Sequence, residues 1–145
     1  MGLLNPVNKS LCLEQLCEAN YFKLLRLIPG LFNVKQSALG TANRKTAIQI
    51  RILERSPYTL TIELNHRFHL ASDSPLVPAL QIRIYLDAKS AEVLRDHFRS
   101  DVHKIFKSAA KSTEIMDYKW RLNYFLSKWL DHCLQADYQF QTSVP

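Results

Sequence analysis

Glycine is scarce in this 145-residue chain, which has only Gly2, Gly30 and Gly40. A backbone cradle for phosphate needs glycines close together, and neither G-x-x-x-x-G-K-[ST] nor G-x-G-x-x-G occurs. The G-x-S-x-G nucleophile elbow and the H-E-x-x-H zinc motif are missing as well. Cysteine is also sparse. Cys12, Cys17 and Cys133 make an odd count without C-x-x-C spacing, which argues against a zinc or dithiol site. The plain reading is reduced thiols in a cytoplasmic protein, with Cys17 and Cys133 buried as small hydrophobes. No apolar run nears the roughly 18 residues of a membrane span. Residues 1–16 lack the basic start and apolar stretch of a secretory signal, so no membrane association is expected.

What is present fits an ordinary globular domain, with 47% hydrophobic and 22% charged residues. A chain of this length is expected to form one domain over 1–145 and to bury about 68% of its unfolded surface. Residues 1–9 and 137–145 are expected to be loosely ordered. Lys and Arg number 19 against 13 Asp and Glu, a net charge of +6. The excess is spread along the chain and is densest between Arg95 and Lys111, where five basic residues fall. A solvated basic face explains that stretch. Non-specific nucleic-acid binding is the alternative, and it would show as a salt slope of about −0.7 per phosphate on single strands.

Hydrophobic periodicity divides the chain. Ser10 is a candidate cap, and Leu13, Leu16, Cys17, Asn20/Tyr21, Leu24 and Ile28 then recur at helical spacing until Pro29-Gly30. Residues 31–45 read as a loop. Three stretches then alternate with period two: Ile48 to Ile52, Tyr58 to Leu64, and Leu80 to Leu86. Residues 54–57 suit a hairpin connection, and His66 to Pro78 a longer loop. Asp87-Ala88-Lys89-Ser90 reads as a turn into a short strand, Ala91 to Leu94, with a helix from about Ser100. Tyr118, Leu122, Phe125, Leu126, Trp129, Leu130 and Cys133 form one face of a helix from about 114 to 135. The expectation is an α+β fold: an antiparallel sheet of three to four strands, with the N-terminal and long C-terminal helices on its apolar face.

Candidate chemistry is thin. His66 and His69 point to opposite faces if the strand runs on, His97 and His103 are six apart, and His132 stands alone, so no metal site is expected. By parity, Arg51, Thr61, Glu63, Arg83, Tyr85 and Asp87 share the polar face of the sheet, with Arg67 at its margin. That is either a solvated face with weak cross-strand ion pairs or a shallow site. In the second case Arg51 and Arg83 hold an anion and Tyr85 stacks on a base, as open sheets read single strands. Trp120, off the apolar stripe between Lys119 and Arg121, is a candidate protein contact. Trp129 belongs to the core.

Leu16-Cys17-Glu18-Ala19-Asn20-Tyr21, with Leu24 and Arg26 to Pro29, resembles the opening helix of the YqiB-like proteins, a proteobacterial group of unassigned activity. Ser56 to Thr59, Val77 to Tyr85, Asp87-Ala88, Ala91-Glu92-Val93 and Leu122-Asn123 to Leu134 resemble its hairpin, central strand and final helix. The likeness runs from about Leu13 to Leu134. Between Phe106 and Lys119 the chain departs from the family pattern: Asp117 and Lys119 match, but Thr113 stands at the family's histidine position. Chemistry that needed that histidine would be lost here.

These readings converge on a small protein that works by binding, without a cofactor, its partner another protein or a nucleotide-like anion, the chain a monomer or homodimer. Arg51, Arg83, Tyr85, Asp87 and Glu92 are the site candidates, joined by Asp117, Lys119 and Asn123 if the last helix begins nearby. The other reading is a nucleotide hydrolase or transferase using Asp87, Glu92 and Asp117 as acid, base or metal carboxylates.

Overall fold

The computed structural model describes residues 9–67, 80–96 and 112–142. Helix α1 spans Lys9–Leu27 and ends where Pro29 removes an N–H and Gly30 turns the chain. A single 3-10 turn at Leu31–Asn33 leads into strand β1, Ser37–Thr41. Strands β2 (Ala47–Arg55), β3 (Thr59–Arg67), β4 (Leu80–Tyr85) and β5 (Ser90–Asp96) follow. Helix α2, Ser112–Ala136, then returns the chain to a short strand β6, Gln139–Thr142. Asp137 ends α2 with φ 61°, the left-handed position that closes many helices.

The six strands form one antiparallel sheet in the order β5-β4-β3-β2-β1-β6. Period two is obeyed in the core: Ile48, Ile50, Leu60, Ile62, Leu64, Leu80, Ile82 and Ile84 are all buried on one face. Leu24 and Ile28 of α1 and Leu122, Leu126 and Leu130 of α2 complete the same core. The helices run in the same direction. Asn20 contacts Asn123, and one turn later Lys23 Nζ reaches Ser127 Oγ (2.7 Å) and Asp131 Oδ1 (2.9 Å). Both chain directions thus lead from the β5 edge toward the β1–β6 edge.

The fold class, the two helices, the β2–β3 hairpin and the strand at Ala91–Leu94 agree with the sequence expectation, while the turn expected over Asp87–Ser90 falls one residue earlier, at 86–89. The strand count does not: the sheet has six strands, not three to four. The expected loop over 31–45 contains β1, and the expected loose tail contains β6. Ser10 lies within α1 instead of capping it. The helix expected from Ser100 lies outside the described residues, as do most of the expected loop over 66–78 and residues 1–8.

The two unexpected strands explain each other. The inward positions of β1 are Ala38 and Gly40, too small to signal a strand by hydrophobicity. Gly40 pairs with Phe140 of β6, and a Cβ on Gly40 would lie 2.5 Å from the Phe140 ring. The ring fills the space the glycine leaves, as aromatics do beside edge glycines. Gly40→Ala is therefore expected to cost about 1–3 kcal/mol by overpacking, measured by urea denaturation. Adding Phe140→Leu should recover part of that loss, whereas an additive double variant would show that ring and glycine are independent.

Cys17 and Cys133 are buried and free, and Cys12 is half-buried and free. Burial pushes the Cys17 and Cys133 thiols up from 9.0 to about 12. Because the folded values lie above the unfolded one, these thiols favour folding fully below pH 9 and progressively less from pH 9 toward 12. Urea midpoints should hold steady between pH 7 and 8.5 and fall above pH 9, by up to about 1.4 kcal/mol per thiol per pH unit. A Cys17→Ala/Cys133→Ala variant should show a shallower fall. Equal slopes would assign the loss to other groups.

Candidate functional site

Two sets of polar residues lie on opposite faces of the sheet. The first lies on the sheet face away from the helices. Arg51 and Glu63 are register partners across β2 and β3, and Arg51 Nη2 donates to Glu63 Oε1 at 2.9 Å. Asn65 Nδ2 donates to the same oxygen at 3.2 Å. Thr61 and Glu63 are only 6% and 7% exposed, so this strip is no freely solvated face. A buried carboxylate is tolerated because it is paired and hydrogen-bonded.

Arg83 is opposite Thr61 in β3 and opposite Glu92 in β5. Its Nε makes a long contact of 3.5 Å to Thr61 Oγ1, and its terminal nitrogens meet no other partner among the described residues. Tyr85, two residues on and on the same face, is half-buried opposite Thr59. Glu92 does not close on Arg83. Its Oε2 lies 3.5 Å from Lys119 Nζ of α2, a half-exposed pair of small energetic weight.

The second set is the junction of α1, α2 and β5. Asn123 is fully buried; its Oδ1 accepts the Val93 N–H at 2.9 Å and its Nδ2 donates to the Lys119 carbonyl at 2.9 Å. Its own carbonyl accepts from Asn20 Nδ2 of α1 at 3.0 Å. Asn20 is also fully buried, with its Oδ1 left without a partner among the described residues. Cys17 lies one turn earlier on α1. Burial raises its pKa most, the Glu92 carboxylate adds to the rise, and Lys119 opposes it. At neutral pH this thiol is protonated, and so is no nucleophile.

Of the eight expected site residues, Glu92, Lys119 and Asn123 come together at the α2–β5 junction, while Arg83 stays on the opposite sheet face with Tyr85 beside it and Arg51 two strands away. Asp87 does not join them. β4 ends at Tyr85, so Asp87 sits in the turn, where its Oδ1 accepts the Ala88 N–H at 2.9 Å. Asp117 is half-buried on α2 and engaged in an interaction of its own. Asn20 and Cys17 were not among the expected site residues. The readable signal was a polar Asn20 on the apolar stripe of α1.

Among the described residues, no three His, Cys, Asp or Glu side chains cluster closely enough to hold a metal. His69, His97, His103 and most of the Arg95–Lys111 stretch lie outside the described residues, while His132 is exposed. Trp120 is half-buried and stacks on Tyr124 at 4.9 Å, with Lys128 Nζ 5.4 Å from the Tyr124 ring. Trp129 is half-buried against the core. No described helix is long and apolar enough to cross a membrane.

A cleft of about 400 Å³ opens on the opposite side, between the end of α1, β1 and β6. Arg26, Ile28, Val34, Leu134, Tyr138 and Phe140 are among its walls, and none of the eight expected site residues lines it. Tyr138, whose hydroxyl donates to the Thr46 carbonyl at 2.6 Å, is tied to the scaffold.

No solved structure matches the chain. The uncharacterised protein YqiB of Escherichia coli K12 is 29% identical over 124 residues, covering 83% of this chain and 84% of its own. The YqiB proteins of Escherichia coli O6:H1 and O157:H7 match to the same extent. Residues 23–139 match the family described as protein of unknown function DUF1249, a span that includes Asn123, the β5 edge and β1 to β5. The chain belongs to the DUF1249 family of YqiB-like proteins.

Proposed function

We propose that this protein works by binding rather than catalysis, and that its ligand is a nucleotide-like anion held on the sheet face at Arg83. The observation that carries the reading is the unequal use of the cations. Of the two arginines on the outer sheet face, Arg51 is held by Glu63, while the terminal nitrogens of Arg83 meet no partner among the described residues. A guanidinium presents donors in a planar fork that matches a phosphate or carboxylate. Tyr85 on the same face supplies a ring beside it.

The carboxylates support binding over hydrolysis. Asp87 is used by its own turn and Glu92 by Lys119, so two of the three acids proposed for a nucleotide-acting enzyme have structural partners. The buried Cys17 thiol is protonated. The free state of all three thiols supports a reducing, cytoplasmic setting.

The cleft beside Arg26 is a second location for a small ligand, favoured by a volume within the range of small-molecule sites. One experiment separates the two. Thermal midpoints of the wild-type, Arg83→Ala and Arg26→Ala proteins are measured against nucleotides, inorganic phosphate and short RNA at two salt concentrations. A ligand at about 100 times its Kd adds about 2.7 kcal/mol, a rise of several degrees for a domain of this size. The rise should vanish in Arg83→Ala and persist in Arg26→Ala. The reverse pattern moves the site to the cleft, and no rise with any anion removes the anion reading and leaves a protein partner.

A further inference from the structure

The two edges of the sheet are treated differently. Edge strands expose unpaired N–H and C=O groups, and proteins commonly blunt them with charge, proline, bulges or a covering element. β5 is blunted in several of these ways. It carries Glu92, Arg95 and Asp96, its ladder shifts register near Gln81/Ile82, and Asn123 accepts its outward N–H at Val93. β6 reads Gln139-Phe140-Gln141-Thr142, with no charge, no proline and no register shift against β1. Nothing pairs with its outer side among the described residues.

The hydrogen-bond phase identifies which groups are left open. Ile52 N–H donates to the Gln36 carbonyl at 2.8 Å, so even-numbered positions of the β1 segment face β2 and odd-numbered ones face β6. Leu39 and Thr41 therefore bond to Gln141 and Gln139, their register partners. Phe140 and Thr142 turn their backbone groups outward. The Phe140 ring anchors this segment over Gly40, which holds the edge in an extended, pairing-ready form.

We propose that β6 pairs antiparallel with β6 of a second copy of this chain, about a two-fold axis, joining the two sheets into one. An extended backbone is the chemistry that matches alternating open N–H and C=O groups. A second copy is favoured as the occupant because the strand is uncharged, so self-pairing opposes no like charges at the strand, although each chain carries +6 overall. The pairing is independent of the anion reading, since Arg83 lies four strands away.

The test is sedimentation velocity on the full chain from about 1 to 100 µM, where a dimer declares itself by mass action. The wild type should approach twice the 16.8 kDa chain mass at the upper end. Gln139→Lys/Gln141→Lys brings lysines together across the two-fold from exposed positions, and should stay a folded monomer throughout. In parallel, hydrogen exchange at the Phe140 amide of the wild type should slow with rising concentration, with Ile62 as an unchanged reference. A wild type that is monomeric throughout overturns the proposal, whatever peptide binds there. So does a dimer in which the Phe140 amide gains no protection. Should the lysine variant fail to fold, the wild-type exchange decides alone.

Discussion

One buried asparagine holds three elements in register. The Asn123 side-chain oxygen accepts the Val93 N–H of β5, its Nδ2 donates to the Lys119 carbonyl, and its backbone carbonyl accepts from Asn20 Nδ2 of α1. Each bond contributes about 1 kcal/mol net, but the larger quantity is the penalty avoided. A buried N–H left without an acceptor costs about 1–3 kcal/mol. An apolar residue at 123 would leave the β5 edge with such a group. The helix pair is thus located on the sheet by directional contacts as well as by the non-directional burial of Leu24, Ile28, Leu126 and Leu130.

The asymmetry of the sheet follows from that junction. From the β5 edge the parallel course of α1 and α2 carries the chain to the β1 side. There β6 adds a sixth strand through a glycine–aromatic pair. The polar sheet face is shaped by charge pairing instead. Glu63 is buried because Arg51 and Asn65 satisfy it, and Lys119 draws Glu92 toward the β5 edge, away from Arg83. Among the described residues the Arg83 guanidinium is therefore left with only its long Nε contact to Thr61.

Legibility from sequence tracked side-chain size. β2, β3 and β4 alternate large apolar and polar residues, so their faces and the Arg51, Glu63, Arg83 and Tyr85 parity could be read directly. β1 could not, since its inward residues are Ala38 and Gly40 and its one large residue, Leu39, points outward. β6 carries a weaker signal that was available, Tyr138 and Phe140 alternating with Gln139 and Gln141. Of the site, Glu92 follows the third alternating stretch and Lys119 and Asn123 lie at the start of the last helix, but their meeting depends on the helix–strand junction. Asp87 failed by parity because the strand ends two residues before it.

The most direct measurement is amide exchange at Val93. On the outer side of an edge strand this N–H would ordinarily meet water and exchange quickly. If Asn123 seals the edge, Val93 exchanges only on global unfolding, as slowly as Ile82 in the neighbouring strand, and Asn123→Ala releases Val93 while Ile82 stays protected. Rapid exchange of Val93 in the wild type, or equal release of both amides in the variant, would contradict the junction's role.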